Sequence, residues 1–181
     1  CTGLGLNAHN IDTVIGVIKA HSSRVGEGPY VTEDKGPIGN HIRELAHEFG
    51  STTKRPRRCG WLDLVAIKYA IKLNGINYLA VNHLDTVGKL EKIKICTAYY
   101  VDDKLVYDYP NDLDVLKRAK PYYEELPGNF PDISTIKLRS NLPNNAENFL
   151  KLIEDYTEIK VGFIGTGPSR EQLIVAPELV R

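Results

Sequence analysis

The sequence predicts an α/β protein, a mostly parallel sheet flanked by helices and built as one unit. Segments with apolar residues at helical spacing alternate with short β-branched runs, the pattern of strand and helix layers around one core. Two of the strand-like runs end in loops rich in small or polar residues, at His83-Leu84-Asp85 and Gly165-Thr166-Gly167-Pro168. Open parallel sheets collect ligands at such carboxyl ends. The 181 residues fit one ordinary domain, with no internal repeat, low-complexity tract or linker.

The elements follow in order. Ala8 to Thr13 can start a short helix, and Val14 to Ile18 reads either as its continuation or as a buried strand, which periodicity does not settle. Ile38, Ile42, Leu45 and Phe49 lie at helical spacing, and Gly50 is placed to end that helix. The spacing resumes from Trp61 to Asn74 through Leu62, Val65, Tyr69 and Leu73, with Gly75 as terminator. Ile76 to Val81 reads as a buried strand. Lys92 to Val101 and Lys104 to Tyr109 read as two strands joined across Asp102-Asp103, a hairpin turn without glycine. Frequent Pro, Asn and Asp from Tyr109 to Pro143 imply loops and short helices. Asn144 to Thr157 is a helix with Phe149, Leu150, Leu152, Ile153 and Tyr156 on its apolar face, and Lys160 to Ile164 is a strand.

Composition excludes several classes. With 23 basic and 23 acidic side chains the chain lacks the basic excess of a nucleic-acid protein, so its cations matter where they cluster. Three cysteines, Cys1, Cys59 and Cys96, make no paired framework and no metal-ligand spacing, which suits a reducing, cytosolic setting. No run approaches the ~20 apolar residues of a membrane span, and the N-terminus has no signal-like pattern. A chain that starts at Cys1 in a glycine-rich turn and has no Met is expected to be a piece of a longer protein or to have residues left out.

The densest chemical signal runs from Gly50 to Asp63, where Lys54, Arg55, Arg57 and Arg58 share a loop with Ser51, Thr52 and Thr53, stiffened by Pro56 and closed by Gly60. Guanidinium forks match carboxylate and phosphate geometry. By themselves these residues fit a solvated basic run equally well. The five histidines show no metal spacing: His41 and His47 are six apart, and His9 and His21 have no evident partner. An Asp after a strand, such as Asp85, is by itself more often a cap or turn residue. Gly165-Thr166-Gly167 alone is a weak turn signal.

Taken in order, Thr2-Gly-Leu-Gly5, Arg24-Val-Gly-Glu-Gly-Pro-Tyr-Val-Thr-Glu33, the loop Thr52 to Asp63, Leu84-Asp85 and Gly165-Thr-Gly-Pro-Ser-Arg170 resemble the adenylosuccinate synthetase family over essentially the whole chain. The resemblance implies a GTP-dependent ligation of L-aspartate to IMP. It also implies a sheet like that of P-loop NTPases, a strand over Val14 to Ile18, a homodimer, and Mg²⁺ as cofactor. Residues 1–181 would then be the C-terminal part of such an enzyme. The phosphate loop, the catalytic residues and most of the Mg²⁺ site would lie in an N-terminal part outside this sequence, leaving no catalytic or metal residue here.

By the same resemblance, Val25, Ser51, Thr52, Thr53, Lys54, Arg55, Pro56 and Arg57 would serve aspartate and IMP. Arg57, His83, Leu84, Asp85, Gly165, Thr166 and Gly167 would serve GTP. The Asp85 carboxylate would accept from both the ring N–H and the exocyclic amine of guanine. The family motif usually has Gly where this chain has Lys54, and Lys where it has His83. Gly26 would approach the IMP ribose, Arg58 has the weakest claim of the four cations, and Arg24 reads equally as structural. Without the missing part, these residues would recognise substrates but not transfer a phosphoryl group. The second reading, of another class, is a noncatalytic nucleotide- or nucleic-acid-binding module using Lys54 to Arg58.

Overall fold

The computed structural model describes residues 1–5, 7 and 10–179. Its central sheet has the strands β1 (Ile15–Lys19), β5 (Tyr78–Asn82), β9 (Lys160–Gly165) and β10 (Leu173–Val175) in that order. The first three run parallel, and β10 is antiparallel to β9. A mostly parallel sheet flanked by helices is therefore what forms. Register pairs Lys19 with Asn82 and Val81 with Ile164, so the chain leaves all three parallel strands along one edge. That edge carries His21, His83 and Thr166.

Helix α2 (Leu64–Asn74) and helix α5 (Asn144–Thr157) pack against each other beside this sheet. Phe149, Leu150 and Ile153 of α5 are fully buried with Leu64, Leu79, Val81 and Ile164, while Leu152 and Tyr156 are only partly covered. The expected α5 boundaries match the helix. Gly75 ends α2 in the left-handed region at φ 60°, as its sequence position predicts.

A second sheet joins β4 (Leu62–Asp63), β6 (Lys92–Val101), β7 (Lys104–Val106) and β8 (Lys120–Pro127). The hairpin between β6 and β7 turns on Asp102 and Asp103 at φ 49° and 61°, a primed turn in which Asp replaces the usual glycine. The eight residues of β8 depart from the expected loops and short helices of 109–143, although α4 (Leu113–Arg118) is such a helix. Two prolines hide that strand. It pairs with β6 as an edge, where a missing N–H is tolerated.

Three further expectations are corrected. Of the stretch 8–13, Ala8 and His9 lie outside the described residues, and Ile11 to Val14 form no helix. The helix placed over Ile38 to Phe49 is shorter: α1 spans Pro37–Leu45 and ends at Ala46. His47 then turns the chain at φ 51°, because Glu48 is drawn inward to partners from other segments. Trp61 to Asp63 is extended and not helical. Gly60 lies against the Thr32 carbonyl where a Cβ would clash, Trp61 N–H donates to that carbonyl at 3.2 Å, and Asp63 caps α2 by accepting from Ala66 N–H at 3.1 Å. Strands β2 (Ser22–Arg24) and β3 (Arg58–Gly60) pair antiparallel beside this turn.

Candidate nucleotide and anion site

The cationic loop is a narrow hairpin. Arg57 N–H donates to Glu48 O at 2.9 Å, Gly50 N–H to Arg55 O at 2.8 Å, and Lys54 N–H to Gly50 O at 3.0 Å, with a bridge between Phe49 and Pro56. The loop therefore leaves a turn and not the helix terminus that was expected. Its tip, Ser51 to Pro56, is exposed. Lys54 takes φ 55°, the left-handed conformation that favours glycine. Among the described residues Lys54 and Arg55 make no ion pair, and the one side-chain bond at the tip runs from Arg55 N–H to Thr53 Oγ1 at 3.4 Å.

Arg57 differs. Its NH1 group donates to Glu48 Oε2 at 2.7 Å, while Glu48 Oε1 meets Lys19 Nζ and lies 2.8 Å from His21 Nε2. The carboxylate is 2% exposed. Burial alone would raise its pKa, yet the bonds from His21, Lys19 and Arg57 hold it well below the usual carboxylate range. An ionised carboxylate only accepts, so Nε2 of His21 carries a proton. Its Nδ1 is buried without a hydrogen-bond partner among the described residues. His21 thus has the partner that its sequence context did not reveal, and its ring also stands edge-on to His83, centroids 5.2 Å apart.

His83 leads into α3 (Leu84–Val87) at φ 63°, with Nδ1 3.3 Å from Thr86 Oγ1. Burial, followed by the nearby His21 and Lys19, lowers its pKa. His83, Asp85, Gly165 and Gly167 line a cleft of about 540 Å³, together with His47 and Arg170. A second cleft of about 430 Å³ shares Asp85 and Gly167 and adds Thr166 and Phe130. The Asp85 side chain makes no hydrogen bond or ion pair among the described residues, leaving both oxygens available between the two hollows. Thr166 is fully buried and its Oγ1 has no hydrogen-bond partner among the described residues. The Leu84 side chain is wholly in the core, so only its backbone is placed to face a ligand.

The glycines keep this loop open. A Cβ on Gly165 would lie 2.8 Å from Asn82 Oδ1, and one on Gly167 would collide with the Gln172 side chain, which itself accepts from Ser169 N–H at 2.9 Å. Gln172 escaped sequence reasoning, as did Glu48 and Lys19, because one isolated polar residue carries no pattern.

The remaining candidates lie apart. Val25 is 75% exposed, and Gly26 beside it takes φ 86°. Arg24 donates to Pro29 O at 2.6 Å and Glu27 O at 3.1 Å. Arg58 forms a fork on Glu33 at 2.8 and 2.6 Å and also donates to Gly26 O and Gly28 O. Both arginines shape the segment 24–30, the structural reading given for Arg24, and Arg58, the cation with the weakest claim, is anchored there as well. Glu33 is held below its ordinary pKa by that Arg58 bond. Among the described residues no group of three His, Cys, Asp or Glu side chains is placed to hold a metal ion, and no helix is long and apolar enough to cross a membrane.

Comparison with known proteins gives this geometry a family. The model of the adenylosuccinate synthetase family matches residues 1–174. The adenylosuccinate synthetase of Acetivibrio thermocellus is 50% identical over 175 residues, which are 97% of this chain and 41% of the relative. That of Pelotomaculum thermopropionicum is 47% identical over 179 residues, 99% of this chain and 42% of the relative. The solved structure of the fully ligated enzyme from Plasmodium falciparum superposes with a TM-score of 0.91 at 37% identity, covering 96% of this chain and 42% of that one. The chain spans about two-fifths of the length of these relatives. It belongs to the adenylosuccinate synthetase family.

Proposed function

We propose that this chain supplies the aspartate- and guanine-recognition face of a GTP-dependent ligase that joins L-aspartate to IMP. In that reaction the IMP base oxygen attacks the γ-phosphorus of GTP and GDP leaves. The aspartate amine then attacks the phosphorylated carbon, phosphate departs with the base oxygen, and adenylosuccinate results. Three anionic substrates must be held together, so positioning and charge compensation dominate.

One observation carries the reading: an exposed cationic hairpin and an unpaired Asp85 lie beside the same strand-end edge, linked through Glu48, His21 and His83. Lys54 and Arg55, with Ser51, Thr52 and Thr53, take the aspartate carboxylates and, with Val25, face IMP. Pro56 stiffens the turn. Arg57 approaches the GTP phosphates, and Asp85 accepts from the guanine N–H groups while the backbone at Gly165, Thr166 and Gly167 closes on the base. His83, lacking a fixed charge, offers a ring N–H or a stacking face where the family has Lys.

The phosphate loop, the catalytic acid and base and the Mg²⁺ ligands are assigned to the part of the protein outside these residues. When bound, Mg²⁺ would supply charge neutralisation on the phosphates; among the described residues no group of three His, Cys, Asp or Glu side chains is placed to hold it. The three free cysteines accord with a cytosolic setting, and family membership supports a homodimer. The test is adenylosuccinate formation by the full-length protein with IMP, aspartate and Mg²⁺, comparing GTP with ATP. Product with GTP alone is expected. No product, together with binding of polyanions that ignores aspartate and falls steeply with salt, would establish the binding-module reading instead.

A further inference from the structure

We propose that Glu48 is the positioning residue of this site, fixing Arg57 in the cationic hairpin and, through His21, bracing His83 at the base-reading turn. The inference rests on the function proposed above and names what holds its two halves in register. Glu48 lies between α1 and the hairpin and does not line either cleft. Its two oxygens are nonetheless used by three donors from two separate segments: Lys19 at the end of β1 and His21 just beyond it, and Arg57 on the returning arm of the hairpin. The backbone adds to this, since Glu48 O accepts from Arg57 N–H at 2.9 Å and Arg43 Nε donates to Arg57 O at 2.7 Å.

The second arm ends at His83. That residue holds a left-handed backbone conformation without a side-chain cap, and its ring is held by one long contact to Thr86 and by the edge of the His21 ring. A non-glycine residue in that region persists when its surroundings over-determine it. Here the surroundings are the Thr86 and Val87 N–H groups, which donate to the His83 carbonyl at 3.1 and 3.4 Å, and the His21 ring, which Glu48 orients.

The experiment measures GTP affinity by titration calorimetry and adenylosuccinate turnover on the full-length protein. Glu48→Gln is expected to weaken GTP binding about tenfold, the scale of one lost charge-assisted bond. Combined with Arg57→Ala it should lose less than the product of the two single losses, because both act along one line. His21→Gln keeps a donor toward Glu48 and removes the ring beside His83. It should raise the KM for GTP by roughly fivefold, less than one full hydrogen bond, with kcat and the KM for aspartate unchanged.

Multiplicative losses in the double variant, or unchanged GTP affinity in both single variants, overturn the proposal. If Glu48→Gln does not fold, His21→Gln decides alone. A wild type that binds GTP but makes no product refutes the reaction while leaving the positioning role readable from the affinities. A wild type that binds no GTP removes both.

Discussion

Two pairs of cations in one short stretch behave in opposite ways. Arg57 and Arg58 are anchored, one to Glu48 and the other to Glu33 and the carbonyls of Gly26 and Gly28. Lys54 and Arg55, two residues upstream, stand at an exposed tip without an ion pair among the described residues. The same residue type does two jobs. The Arg58 guanidinium, forked on a carboxylate and two carbonyls, holds the fold; Arg57, held by Glu48 through one NH group, is positioned for its ligand, whereas the unpartnered cations at the tip have their whole binding capacity left for one.

Substitutions along this stretch sharpen the contrast, and the largest effect is expected at the free tip. In the full-length protein Arg55→Ala should lower adenylosuccinate formation about 10- to 100-fold, corresponding to a lost charge-assisted bond of ~1.5–3 kcal/mol. Its unfolding midpoint in urea should stay at the wild-type value. Equal loss of stability would erase the distinction between tip and anchor.

Arg58→Ala should do the reverse. Losing a partly buried fork and two carbonyl bonds is expected to cost about 2 kcal/mol of stability, read as an earlier urea midpoint. The Glu48 anchor should show itself in pH. Its carboxyl is held below the ordinary value, so the unfolded chain binds this proton more readily. The stability it contributes is therefore present above about pH 4.3, the ordinary Glu pKa, and is lost progressively as the pH falls below it. Glu48→Gln should flatten that acid limb of the midpoint-against-pH curve.

Gly167→Ala probes the other side of the site. Its Cβ must displace the Gln172 side chain, so GTP binding should weaken about tenfold, or ~1.4 kcal/mol, with a smaller change in stability. The smallest effect belongs to Lys54→Gly. Relief of the left-handed conformation at φ 55° is offset by the extra freedom of glycine in the unfolded chain, leaving a net change within about 1 kcal/mol. Loss of aspartate affinity in that variant would show that the Lys54 ammonium matters beyond the turn.

How far the sequence could be read depended on what each element answers to. Asn144 to Thr157 was legible in full because its apolar spacing and its buried face are one fact, seen in Phe149, Leu150 and Ile153. Gly75 was legible for the same reason, a local conformation with a local signal. Helix α1 was overdrawn because Phe49 kept the helical spacing while Glu48 was bound to distant partners. Strand β8 was missed since its pairing with β6 is tertiary and its prolines look like loop residues. The cationic hairpin, Asp85 and the Gly165 loop could be singled out by motif. Their common edge could not.

By itself the sequence determined the alternation of strands and helices, the family, and which residue types crowd the cationic loop, because spacing and motif order are one-dimensional properties. Only the tertiary structure decided which cations are spent on anchoring and which are left at the tip. It also decided that Glu48, Lys19 and His21 join the hairpin to the base-reading turn. A buried charge must be matched by whatever donors the fold brings near, and those donors come from positions up to 29 residues away in sequence, where no local pattern reaches.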